Sequence, residues 1–303
     1  MNTLPELLAA AVKTRARIAQ EIAPVLAVYP VTKHLALLDA HDPVGSYQYR
    51  SEALLRYERE LLAAFPEETR RFHAVIMLQL IERSLARIDS LKLPSDVADR
   101  CVRNCARIIG NIDASDIDYM YLNNDRYDKD LAAASLRLLC AGVMKVHPVY
   151  ALERLPKRKP LTWAKCLLHV GPRGTFYEGH VDTNDPLSMA EFTEDGWNRF
   201  HLNVAGLLER CSVQGLMGAS WFYDPALQEV SPHLGYLRRL VMENGGLSVN
   251  MGTRETDIAN ATRWSATRKR AYSDGRYVPV SYLLIWLRKD LLDWARRARQ
   301  PAS

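Results

Sequence analysis

Leu4, Leu7, Leu8, Val12 and Ile18 fall on one stripe of a 3.6-residue period, with Pro5 in the first turn, and predict an opening helix. The same periodicity returns over residues 51–65, where Leu54, Leu55, Leu61 and Leu62 share one side among Arg and Glu. It returns again over 67–88, whose dense apolar content (Val75, Ile76, Leu78, Leu80, Ile81) predicts a central helix. Ser95 caps a fourth expected helix that runs to about Ile109, before Gly110 and Asn111. Beyond Asp113 the pattern breaks. Residues 113–130 are rich in Asp and Tyr and poor in aliphatics, which predicts a loop with a short turn.

Shorter apolar runs follow, and strands are expected at 136–146, 167–170 and 175–182. A long amphipathic helix is expected at 194–211, a buried strand at 213–223 and a mostly helical stretch at 225–243. A strand at 247–251, a helix at 256–272, a strand at 278–286 and a closing helix at 287–299 complete the pattern. The expected architecture is α/β (α+β): a helical N-terminal region over 1–112, then, over 113–303, a mixed sheet flanked by helices that forms the candidate catalytic domain.

Charge sharpens this division. Residues 1–150 carry 19 basic and 19 acidic side chains, so the whole net charge of +5 lies in 151–303. The excess sits in Lys157-Arg158-Lys159, in Arg268-Lys269-Arg270, and in Arg296-Arg297 with Arg299. Excess of this kind suits a phosphate-bearing cofactor or an acidic carrier protein, and is too sparsely interleaved with aromatics for nucleic acid. No apolar run approaches the length of a membrane span. Lys13, Arg15 and Arg17 interrupt the N-terminal apolar residues, so the expectation is a cytoplasmic protein. Five cysteines without paired spacing argue against a disulfide framework, and Cys101 and Cys105, four apart on an expected helix, read as small core residues.

Chemistry concentrates at residues 175–182, TFYEGHVD, where Glu178, His180 and Asp182 alternate along an expected strand and so share one face. A carboxylate beside an imidazole orients it as a general base. Alternatively His180-x-Asp182, with His233 as a third ligand, supplies the two-histidine, one-carboxylate set of a non-haem Fe(II) site. With Arg238 and Arg239 following His233, that pattern resembles the iron- and 2-oxoglutarate-dependent oxygenases. However, the long helix expected after 182 does not suit their run of consecutive strands. The small residues Gly215, Gly218, Ala219 and Ser220 permit close approach of a ligand, and Tyr223 at the end of the same segment is a candidate general acid.

The order strand, helix, strand, helix, strand, helix, strand over 165–290 resembles the GNAT superfamily of N-acyltransferases and its relatives that take acyl groups from acyl carrier proteins. The resemblance implies direct attack of an amine on an acyl thioester, carried by CoA or by the phosphopantetheine of a carrier protein. It implies Glu178 or His180 as base and Tyr223 as acid, with no tightly bound cofactor, while Ser220 of the small-residue segment and Arg268 and Lys269 of the basic cluster are the candidate donor contacts. It also implies that the helix at 194–211 receives the donor's pyrophosphate. The family's phosphate loop, Arg/Gln-x-x-Gly-x-Gly/Ala, is absent before that helix, a departure that carrier-dependent relatives tolerate better. The segment SWFYDPAL is also similar to uncharacterised bacterial proteins. A non-catalytic partner in a biosynthetic assembly, docking through its basic clusters, is the third reading.

Overall fold

Thr3 starts the first helix. Its hydroxyl accepts the backbone N–H of Glu6, and the Glu6 carboxylate accepts the N–H of Thr3 at 2.7 Å, a reciprocal cap on α1 (Leu4–Glu21). The computed structural model describes residues 3–157, 160–171 and 174–300, so Arg158 and Lys159 of the first basic cluster lie outside the described residues. The chain forms two compact units, Met1–His147 with Asp182–Pro186, and Pro148–Val181 with Leu187–Ser303.

In the first unit, α1 is followed by α2 (Ala23–Val28), α3 (Val31–Asp39), α4 (Glu52–Ala64), α5 (Thr69–Leu85), α6 (Ser95–Asp113) and α7 (Asp125–Ala134). Every side chain from Phe72 to Leu78 is buried, so this part of α5 has no solvated face and takes the centre, with α1, α3, α6 and α7 packed against the helix. The loop expected over 113–130 is half corrected. Asn124 accepts the N–H groups of Arg126 and Tyr127, and Asp125 and Asp128 in the first turn suit a helix N-terminus, so α7 begins inside that segment. The expected strand at 136–146 is a hairpin, β1 (Leu139–Cys140) and β2 (Met144–Tyr150), antiparallel with Leu139 opposite Val146 and Cys140 opposite Lys145. Gly142, at φ +132°, occupies its turn. Cys101 and Cys105 are buried and free, and the Cys101 sulfur accepts the N–H of Cys140.

The second unit takes the end of β2 and continues through α8 (Ala151–Arg154), α9 (Pro160–Val170), β3 (Thr175–Val181), α10 (Pro186–Ala190), α11 (Glu194–Leu208) and β4 (Gly215–Ser220). After a 3₁₀ turn over Trp221–Tyr223 come α12 (Leu227–Val230) and a second 3₁₀ turn, Pro232–Leu234. Next are α13 (Tyr236–Glu243), β5 (Leu247–Gly252), α14 (Glu255–Arg263), α15 (Ala266–Ser273), β6 (Ser281–Leu287) and α16 (Arg288–Ala298). The strand expected at 167–170 is the last turn of α9, with Leu168 exposed; a short apolar run does not separate helix from strand. The single helix expected at 256–272 is two, because Ser265 caps α15 by accepting the N–H of Arg268.

The mixed sheet runs β1-β2-β3-β4-β6-β5. β3 and β4 are parallel, joined by the α11 crossover, whereas β6 is antiparallel to both β4 and β5. Phe176, Met217, Val249, Leu283 and Ile285 build one core of this unit with Val149, Cys166 and Val170. Elsewhere in the unit, His201 of α11 packs against the rings of Trp197, Phe200, Trp286 and Trp294, with its Nδ1 2.9 Å from the Trp197 carbonyl oxygen. Among the described residues no helix is long and apolar enough to cross a membrane.

Candidate functional site

Registered pairing between β3 and β4 consists of Tyr177 with Leu216 and Glu178 with Met217. Both strands continue further, to Val181 and Ser220, but no registered pair between them follows among the described residues. β4 meanwhile stays paired with β6 to its end, Ser220 opposite Tyr282. In their registered pairing the two parallel strands therefore part before their carboxyl ends, the side on which open α/β sheets bind ligands.

Glu178 and His180 lie at the start of this parting, both half-buried. Arg154 reaches Glu178 from α8, its terminal nitrogen at 2.8 Å and its Nε at 3.0 Å from the same carboxylate oxygen. His180 Nε2 is 3.4 Å from that oxygen. The carboxylate is thus shared between a guanidinium and an imidazole, which fixes its position and aligns the ring beside it.

Asp182 is not part of this pair. The strand, and with it the alternation, ends at Val181, and Asp182 belongs to the first unit. Its Oδ2 accepts from Lys145 Nζ at 2.7 Å and its Oδ1 accepts the N–H of Asn184, with both charged side chains almost wholly enclosed. Burial would raise the carboxyl's pKa; the Lys145 ammonium overcomes this and holds it below its ordinary value. With both oxygens engaged, Asp182 is a poor metal donor, which weakens the iron alternative at its carboxylate. His233 sits exposed in the Pro232–Leu234 turn.

This ion pair opens a network that the strand pattern did not reveal. Lys145 also donates to Asn104 Oδ1, which accepts from Arg107, and Arg107 pairs with Asp130, which accepts from the Tyr119 hydroxyl. The one signal in the sequence is Lys145 itself, a lone cation inside the apolar run 143–149.

Tyr223 closes the 3₁₀ turn after β4. Its hydroxyl lies 3.5 Å from where a Cβ on Gly218 would stand and makes no hydrogen bond among the described residues. Burial pushes its phenol well above the usual range, so it keeps its proton near neutral pH. Ser220 caps that turn by accepting the N–H of Phe222, while Asp224 accepts from Ala226 and Val280 and serves the backbone.

Arg268 is buried, donating to the Ala261 carbonyl and the Ser231 hydroxyl over the face of Trp221. Lys269 is exposed. Arg270 lines a hollow of about 340 Å³ with Glu229, Thr267 and Arg276. A second, of about 380 Å³, is bordered by Leu152, Lys157 and Trp163. Neither is lined by Glu178, His180 or Tyr223.

The N-terminus of α11 is already capped by Thr193, and Glu194 and Asp195 occupy its first turn. Two carboxylates at the positive end of the helix dipole oppose a pyrophosphate there. No protein-family model, curated protein or solved structure matches the chain at a significant level.

Proposed function

We propose that the second unit transfers an acyl group from a thioester to an amine, as the GNAT-like order of its elements implies. The observation that carries this reading is the parting of β3 and β4 just beyond the Glu178–Met217 pair. A pantetheine arm is an extended amide chain, of the kind that adds to strand backbone where registered pairing stops short of the strand ends.

In this reading His180 is the general base, oriented by Glu178, which Arg154 holds in turn. The amine nitrogen attacks the thioester carbonyl carbon, and His180 removes the proton that the nitrogen sheds. The C–S bond breaks, and the leaving thiolate takes its proton from the Tyr223 hydroxyl. The acidic first turn of α11 favours a carrier-bound phosphopantetheine, with its single phosphodiester, over CoA. Exposed Lys269 and Arg270 suit docking of an acidic carrier.

The test is thiol release from acyl-carrier thioesters offered with a panel of amines. His180→Ala is expected to slow release by about 10²- to 10⁴-fold with the circular dichroism unchanged. Tyr223→Phe is expected to lower kcat more than it raises KM. A folded His180→Ala protein that turns over at the wild-type rate sinks the assignment.

A further inference from the structure

Three helices of the first unit each bring one metal-capable side chain to the same interior point. His34 of α3, Glu58 of α4 and His73 of α5 present donor atoms that all lie within 4.8 Å of one another. His73 Nε2 is 2.9 Å from Glu58 Oε2, and His34 Nδ1 is 3.3 Å from Glu58 Oε1. His34 is 0% exposed, His73 1% and Glu58 9%. The rings of Tyr57, Phe72 and Tyr127 stand against the two imidazoles.

The hydrogen bonds of this cluster do not close. His73 is satisfied, with Nε2 on Glu58 and Nδ1 2.7 Å from the Tyr127 hydroxyl. His34 is not, because neither of its nitrogens has a hydrogen-bond partner among the described residues, nor has Glu58 Oε1. Leaving a buried polar group unpaired is costly, and here three such atoms adjoin. A shared cation would partner all three atoms at once. Donors about 2.0–2.2 Å from a common ion stand roughly 2.9–3.5 Å apart at angles between octahedral and tetrahedral, the range in which both observed separations fall.

We infer that His34, Glu58 and His73 hold one divalent transition-metal ion that clamps α3, α4 and α5 together. Two imidazoles and a carboxylate are the donor set of Zn²⁺, with Fe²⁺ its nearest competitor, and not the all-oxygen set that Ca²⁺ or Mg²⁺ requires. Both histidines are enclosed, which fits an ion that holds helices together. Tyr127 is a positioning residue. Its hydroxyl, 2.7 Å from His73 Nδ1, would accept the Nδ1–H of the tautomer whose Nε2 binds the metal. The site lies in the first unit and does not depend on the acyl-transfer reading.

The test uses the full chain, stripped with a chelator and titrated with Zn²⁺ by calorimetry, with metal content read by mass spectrometry. The expected result is one Zn²⁺ per chain and a melting temperature at least about 5 °C higher with metal than without. Glu58→Gln, which keeps the side-chain shape, and His34→Phe are each expected to abolish uptake, and Tyr127→Phe to weaken it by about ten- to a hundredfold. Should His34→Phe fail to fold, Glu58→Gln decides, through loss of the visible absorption bands that Co²⁺ gives in the wild-type site. A folded wild-type chain that takes up neither Zn²⁺, Co²⁺ nor Fe²⁺ overturns the inference. So does a Glu58→Gln protein that binds as tightly as wild type.

Discussion

Inside its box of four aromatic rings, His201 cannot carry charge cheaply. Burial lowers its pKa to about 3, with the bond to the Trp197 carbonyl working weakly the other way. The unfolded chain takes up this proton near pH 6.5, so the folded state binds fewer protons as the pH falls. The stabilising contribution is therefore complete above pH 6.5 and is lost progressively toward pH 3, at about 1.4 kcal/mol per unit. His201→Phe keeps an aromatic ring of similar breadth and removes the titration. Urea unfolding at pH 7 and pH 5 should differ by less in this variant than in wild type, and an equal difference would assign the acid sensitivity elsewhere. The pair Glu178 and His180 is also a matter of single residues, and it was legible because alternate positions on one strand share a face. The same alternation groups Asp182 with them, whereas in the structure its carboxylate pairs with Lys145. Periodicity says which face a residue takes while the strand lasts, and the strand ends at Val181.

Elements follow local rules until backbone meets backbone. At Gly196 in α11, helix propensity alone favours Ala by about 1 kcal/mol. A Cβ there would run into the Glu191 carbonyl oxygen, a collision with main chain that no rotamer relieves. The collision is the larger effect. Gly196→Ala is expected to destabilise by more than about 2 kcal/mol in thermal melts, and a stabilised variant would show that the turn before α11 yields freely. The helices α1, α4 and α6 and the strands β3, β5 and β6 were readable because their periodic stripes are long or their apolar runs rich in β-formers. The last residues of α9 read as a strand in sequence because a short apolar run, apart from the turns before it, does not separate strand from helix. The start of α7 was hidden by acidic residues that favour loops in isolation and helix N-termini in context.

At the scale of the molecule, what the sequence could not show is long-range meeting. His34, Glu58 and His73 lie on three separate helices, and each alone reads as an ordinary polar residue of a helix. The same holds for Lys145, whose partner lies 37 residues away. Asp182→Ala would leave that ammonium buried without its counter-ion, at a cost of about 3–5 kcal/mol, and pairing Asp182→Leu with Lys145→Met should recover most of it. Urea midpoints measure both. Full stability in Asp182→Ala together with lost turnover would instead return Asp182 to the chemistry. The segment Asp182–Pro186 carries a wider consequence. Because it rejoins the first unit after β3, the chain passes between the units three times, at 147/148, 181/182 and 186/187. No single breakpoint in the gene, and no single protease cut, yields two complete halves, since severing the chain at 147 strips the first unit of the anion its buried lysine needs. End-to-end fusion of two separate domains leaves one crossing and a simple insertion of one into the other leaves two, so the three crossings match neither arrangement.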